Sequence, residues 1–242
     1  MIRYIKSKKY EAPEFMTRIM GPNPIKITEE LLINHQIPSG SLVCDLGCGK
    51  GLTSLFLVKE FNFNVYAADL WIDPEENRLF FEENGLICQQ IYPVKTDALN
   101  PDFEKDFFDA VVSIDSYQYY GHDPKYLDEK LLPFLKPGGY VYIAIPGMKK
   151  DNHHNLPKEL LLSWTPEQLA TIHDTTYWKN IIQQNRYAEI ISVHEMESNE
   201  EVWADWLKQD NPYAIEDRAS MNAGGGKYMN FVAIILRKRM GT

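Results

Sequence analysis

The chain is short of cysteine, short of positive charge and without any long apolar run. Cys44, Cys48 and Cys88 are odd in number and show no paired C-x-x-C spacing, which argues against a disulfide framework and against a structural zinc site. No run of about 18 apolar residues occurs, and no apolar stretch of signal-peptide length stands among the first residues. Neither export nor a membrane partner is therefore expected, and a cytoplasmic location follows as the default. Lys and Arg total 25 against 34 Asp and Glu, a net charge of -9. Such a surface repels a polyphosphate backbone unless its cations are gathered on one face, so no nucleic-acid partner is expected. The one basic run, Arg3, Lys6, Lys8 and Lys9, reads as a mobile, solvated arm.

What is present is an alternation of short apolar runs with amphipathic segments from Ser41 onward, the pattern of an α/β fold with a mainly parallel sheet and helices on both faces. Strands are expected at 42–45, 64–69, 89–95, 108–114, 140–145, 188–195 and 228–237. Helices are expected from Gly51, from Pro74 with Asp73 as N-cap, at 124–135, at 175–184 and at 199–208. Lys136-Pro137-Gly138-Gly139 reads as a turn before the fifth strand. Residues 147–172 read as a surface insertion, and 211–227, with Gly224-Gly225-Gly226, as a flexible loop. The chain divides into an N-terminal cap with a leading helix, 1–40, and one large domain, 41–242.

The chemistry concentrates in Asp45-Leu46-Gly47-Cys48-Gly49-Lys50-Gly51, a glycine-rich turn between the first strand and the first helix of the domain. A G-x-G-x-x-G fingerprint or a P-loop would need other spacings, and neither fits. A carboxylate at the end of that strand suits a cationic amino group better than a pyrophosphate. Asp69, closing the second strand, is placed to accept both hydroxyls of a ribose, with Leu70 beside it. Asp97 could accept from an adenine amino group while the Ala98 amide donates to a ring nitrogen; a helix cap before Leu99 is the competing, lesser reading of Asp97.

On these residues the chain resembles the class I S-adenosylmethionine-dependent methyltransferases of small-molecule type. The resemblance implies a Rossmann-like seven-stranded sheet with a reversed C-terminal strand pair. It implies a cofactor, S-adenosylmethionine, cradled by Asp45, Gly47, Cys48, Gly49 and Gly51, with Asp69 and Leu70 at the ribose and Asp97 and Ala98 at the adenine. Phe108 to Ser113 resembles the family's fourth strand, which places Ser113 near the reacting methyl. Met20-Gly21-Pro22-Asn23-Pro24 resembles the loop over the substrate entrance of small-molecule members. Quinone-biosynthesis relatives carry a His pair after strand four where this chain reads Asp115-Ser116-Tyr117-Gln118-Tyr119-Tyr120-Gly121-His122, and that departure argues against carrying their substrate over.

An activated sulfonium leaves the protein mainly the task of positioning a small-molecule acceptor. Asp115 and His122 are the candidate bases, each with a competing reading as a loop or capping residue. Tyr117, Tyr119 and Tyr120 could line an acceptor pocket or simply pack. Asp151, His153 and His154 lie together on a polar loop, but without further ligands no metal is expected. Trp164, Trp178, Trp203 and Trp206 could roof the substrate, although core packing explains most of them better. Two other functions compete: a methyltransferase of protein or RNA, which requires an open cleft or a basic stripe, and a binding protein without turnover.

Overall fold

The computed structural model describes residues 4–241. Seven strands, β1 (Leu42–Leu46), β2 (Asn64–Asp69), β3 (Ile91–Lys95), β4 (Phe108–Ile114), β5 (Leu135–Met148), β6 (Ala188–Glu195) and β7 (Met229–Lys238), form one sheet in the order β3-β2-β1-β4-β5-β7-β6. The first five pair in parallel with one another, whereas β7 runs antiparallel between β5 and β6. The Rossmann-like sheet with its reversed C-terminal pair is thus present.

Its helices are α1 (Pro13–Met16), α2 (Pro24–Leu31), α3 (Leu52–Phe61), α4 (Pro74–Glu83), α5 (Pro166–Leu169), α6 (Thr175–Ile182), α7 (Asn199–Trp206) and α8 (Pro212–Asn222). Because β1 and β4 are buried on both faces, the sheet carries two apolar layers. One is filled from α2, α3, α4 and α7, including Ile27, Leu55, Phe81 and Val202, and the other from the 126–132 segment and α6, including Leu131, Trp178 and Ile182. The chain reverses direction across the sheet between β1 and β4, and the crevice at their C-terminal ends is where such sheets bind ligands.

Four expectations need correction. Residues 211–227 are not a flexible loop: the Asn211 side chain caps α8 by accepting from the Tyr213 N–H, and Pro212 takes the first helical position. That is the same cap-and-proline signal that starts α4 at Asp73-Pro74. The 124–135 segment is no regular helix but a wide π turn at Leu127–Leu131 running into a tight turn at Leu132–Phe134, where Pro133 brings no N–H. Lys136 to Gly139 is an irregularity inside β5, since Phe108 pairs with Leu135 and Ala110 with Tyr140.

The basic run is docked rather than a mobile arm, although the Lys8 and Lys9 side chains stay exposed. Lys6 lies 3.6 Å from the Phe61 ring centre, Lys9 pairs with Glu60 at 2.8 Å, and Glu29 accepts from the Lys6 and Ser7 amides; Arg3 lies outside the described residues. Three of the tryptophans are core: Trp178 and Trp206 are fully buried, Trp203 is 6% exposed, and Trp164 packs edge-on against Trp203.

Candidate functional site

A cavity of about 390 Å³ opens at the switch point between β1 and β4. Its floor is the glycine-rich turn. Gly47 has φ +81, and a Cβ there would fall 2.0 Å from Ser116 Oγ, so the β4 loop can close on the turn only over a glycine. At Gly49 the neighbour in the Cβ position is the Met20 sulfur, 2.9 Å away. The N-terminal segment therefore lies over the turn, and Arg18, Met20, Gly21, Pro22 and Pro24 all wall the cavity. Arg18 is held there by its Nε bond to the Lys50 carbonyl at 2.9 Å and by its stacking over Phe80.

Asp69 and Asp97 both line the cavity, as do Leu70, Ala98, Cys48 and Gly49. Asp69 accepts the Gly49 N–H through Oδ2 at 2.9 Å and the Trp71 and Ile72 amides through Oδ1. Those bonds fix the carboxylate against the glycine turn and leave one acceptor site, on Oδ2, for a ligand hydroxyl. Asp97 spends Oδ1 on the Leu99 N–H at 2.9 Å, a turn cap rather than a helix cap. The Ala98 carbonyl is taken by the Tyr126 hydroxyl at 2.7 Å. The Ala98 N–H and Asp97 Oδ2 have no protein partner among the described residues.

Three expected cofactor residues stand behind the cavity wall. Asp45 is 1% exposed and takes a 2.6 Å bond from Ser54 of α3, while its Oδ1 has no partner. Burial pushes this carboxyl up to about 7. Gly51 is packed by Phe81, which lies 2.6 Å from the Cβ position, so it admits α4 rather than a ligand. Ser113 is fully buried and bridges the Leu46 carbonyl and the Tyr120 hydroxyl; alternation along β4 turns it away from the cavity that Ile114 reaches.

The β4 loop divides the remaining candidates. Asp115, Tyr119 and Tyr120 line the cavity, and Tyr117 and His122 do not. Tyr117 is fully buried in an aromatic cluster with Tyr126 and Trp178, its hydroxyl unpartnered. His122 points to α6: its Nε2 lies 2.7 Å from the Gln118 carbonyl, and its Nδ1 2.8 Å from the Tyr177 hydroxyl. A carbonyl only accepts, so Nε2 carries the hydrogen and Nδ1 is already bonded. Burial moves this imidazole below its ordinary value. Both nitrogens are committed away from the cavity, and His122 is not a base for it.

Asp115 adopts φ +52, an uncommon conformation for a residue with a side chain. Its Oδ1 takes a 2.8 Å bond from Gln118, while Oδ2 sits beneath Gly21, 2.5 Å from where a Cβ would be. Burial pushes the carboxyl up to about 7, against the Gln118 hydrogen bond and with added repulsion from Asp217. Trp71, 74% exposed, and Tyr119, 61% exposed, meet edge to face with ring centres 6.3 Å apart at the cavity mouth. Sequence reasoning missed Trp71 and Arg18. The cue for Trp71 was a large apolar residue directly after the ribose carboxylate; nothing in the sequence singles out Arg18.

The cavity fits S-adenosylmethionine. It has a glycine floor, a strand-end carboxylate beside that floor, and a free amide and carboxylate oxygen at the next strand end. Residues 43–139 match the model of a methyltransferase domain. The 2-methyl-6-phytyl-1,4-hydroquinone methyltransferase of Synechocystis sp. is 29% identical over 56% of this chain and 44% of its own length. Phosphoethanolamine N-methyltransferase 1 of Triticum aestivum is 24% identical over 96% of this chain and 50% of its own. The chain thus spans about half the length of these curated relatives. Among solved structures, Haemonchus contortus phosphoethanolamine N-methyltransferase 2, in complex with phosphomonomethylethanolamine and S-adenosylhomocysteine, superposes with a TM-score of 0.71 at 16% identity, covering 99% of this chain and 61% of that one. With the sheet order, the glycine turn and the strand-end acids in agreement with these matches, residues 43–139 are a methyltransferase domain of the class I S-adenosylmethionine-dependent type.

Proposed function

We propose that this protein transfers a methyl group from S-adenosylmethionine to a small-molecule acceptor held between the β4 loop and the N-terminal segment. The observation that carries this reading is the roof: Met20 presses on Gly49 and Gly21 on Asp115, so the cavity of about 390 Å³ is walled on the side where an acceptor must lie. That volume suits a small ligand and leaves no room for a folded protein or a nucleic-acid strand. The net charge of -9 points the same way.

When bound, the cofactor supplies an electrophilic methyl on a sulfonium. The residues of this chain do the rest. Asp69 and the Gly49 amide it holds fix the ribose end, and Asp97 with the Ala98 N–H holds the base. Asp115 reaches the acceptor side with a carboxyl pushed up by burial to about 7, which lets it take a proton from a hydroxyl as it attacks, or from an ammonium before the freed amine attacks. Gly21 and Met20 keep bulk water from that face.

Titrations with S-adenosylmethionine and S-adenosylhomocysteine, followed by methyl-transfer assays on panels of small hydroxyl, amine and carbon acceptors, peptides and RNA, test the proposal. Turnover of a small acceptor with none on peptide or RNA supports it. Cofactor binding with turnover confined to macromolecules overturns it.

A further inference from the structure

Outside the cavity lining, the segment between β5 and α6 folds back on itself and brings together residues that the sequence left apart. Asp151 Oδ1 lies 2.5 Å from His153 Nδ1, and Asp151 Oδ2 lies 2.9 Å from His173 Nδ1. One ligand atom from each of these three residues falls within 4.8 Å of the others. His154, adjacent in sequence, is exposed and not part of the group; the third ligand comes from twenty residues downstream.

His153 Nε2 is 2.9 Å from the Leu169 carbonyl, so that nitrogen carries the hydrogen. In the neutral ring the lone pair then sits on Nδ1, directly facing a carboxylate oxygen. Two lone pairs at that separation repel unless a cation lies between them. Metal-bound histidines commonly donate their other N–H to a backbone carbonyl, which fixes the ring and leaves the ligating nitrogen bare. His173 is oriented as firmly, stacked on Tyr177 with ring centres 3.6 Å apart and planes 10° from parallel. Asp174 adds negative charge beside the group, accepting the Asp151 N–H at 3.1 Å.

We propose that Asp151, His153 and His173 bind one divalent transition-metal ion, of which zinc is the type, with water completing the coordination. Two imidazoles and a carboxylate are an established zinc ligand set. Bonds of about 2.0 to 2.2 Å require the paired atoms to part by roughly 0.5 to 1 Å, a small adjustment for partly exposed side chains at the two ends of a surface segment. The ion would pin both ends of that segment to the start of α6. From there Tyr177 reaches His122, His122 reaches Gln118, and Gln118 holds Asp115, so the pinned segment braces the acceptor wall.

The test uses the full chain, stripped with chelator and titrated with zinc chloride by calorimetry and with cobalt(II) by visible absorption. One equivalent per chain, with a cobalt spectrum of four- or five-coordinate type, is expected. Affinity should fall at least tenfold in His173→Ala and in His153→Ala and stay unchanged in His154→Ala. S-adenosylhomocysteine affinity of the metal-free protein provides a separate check that each variant is folded. If a variant does not fold, imidazole nitrogen NMR of the wild-type chain serves instead, where zinc should shift Nδ1 of two histidines. No stoichiometric uptake by the wild-type chain, or equal loss in His154→Ala, overturns the proposal and leaves a proton as the cation between His153 and Asp151.

Discussion

The two sides of the cavity treat their polar groups in opposite ways. On the β1–β3 side, Asp69 and Asp97 are anchored through one or both oxygens yet keep acceptor capacity facing the cavity, and the Ala98 N–H is left open. On the β4 side, Ser113 and His122 exhaust their bonds on the protein itself, and Tyr117 is sealed inside an aromatic cluster. From that loop Asp115, Ser116, Tyr119 and Tyr120 line the cavity. The difference teaches that a residue type with catalytic capability says little until its remaining lone pairs and hydrogens are accounted for.

The comparison breaks most severely at Gly47, where the two sides touch. Gly47→Ala should add about 1–3 kcal/mol of backbone strain and a clash with Ser116, so that the melting temperature falls and S-adenosylhomocysteine binding is lost. An alanine variant with native affinity would refute the close approach of the β4 loop.

On the acceptor side, Asp115→Asn should lower kcat by about 100-fold while leaving cofactor affinity nearly unchanged. In the wild-type enzyme the rate should rise as pH passes about 7, as Asp115 loses its proton. The variant should lack that limb. Folding raises this carboxyl, so stability is full below its ordinary value of 3.8 and declines as pH climbs through about 7. The asparagine variant should accordingly gain about 1 to 2 kcal/mol above neutrality, a figure reduced for solvent screening.

On the cofactor side, Asp69→Ala should weaken binding by about 1 to 3 kcal/mol. Asp69→Asn should recover part of this, since an amide oxygen can still accept the Gly49 N–H; calorimetric titration of both distinguishes the bond to the ligand from the bracing of the turn. The smallest effect belongs to the sealed residues. Tyr117→Phe removes a hydroxyl that has no partner and should shift stability by less than about 1 kcal/mol. His122→Gln should leave the pH–rate profile in place, and loss of the limb near 7 in that variant would return His122 to the reaction.

Much of this was legible in the sequence. Strand β2, strand β4 and strand β6 lie where their apolar patterns put them, and the strand-end acids Asp69 and Asp97 meet in one cavity. They were readable because a glycine turn constrains its own neighbourhood: backbone geometry there depends on local residue type. Asp45, Gly51 and Ser113 were misplaced because spacing along a strand does not settle which face each neighbour takes once α3 and α4 have packed. His122 and Tyr117 were misread because their partners, Tyr177 and Trp178, arrive from more than fifty residues away. A shorter separation, about twenty residues, hid His173 from Asp151 and His153.

Asn23 carries a consequence for how the roof of the cavity can move. It caps α2, donates its amide N–H to the Val202 carbonyl at 3.1 Å and its side-chain amide to Asp205 at 3.0 Å. The strip of chain over the glycine turn is thereby riveted at its C-terminal end to α7, so any outward movement of Met20, Gly21 and Pro22 must pivot about that rivet and cannot carry α2 with it.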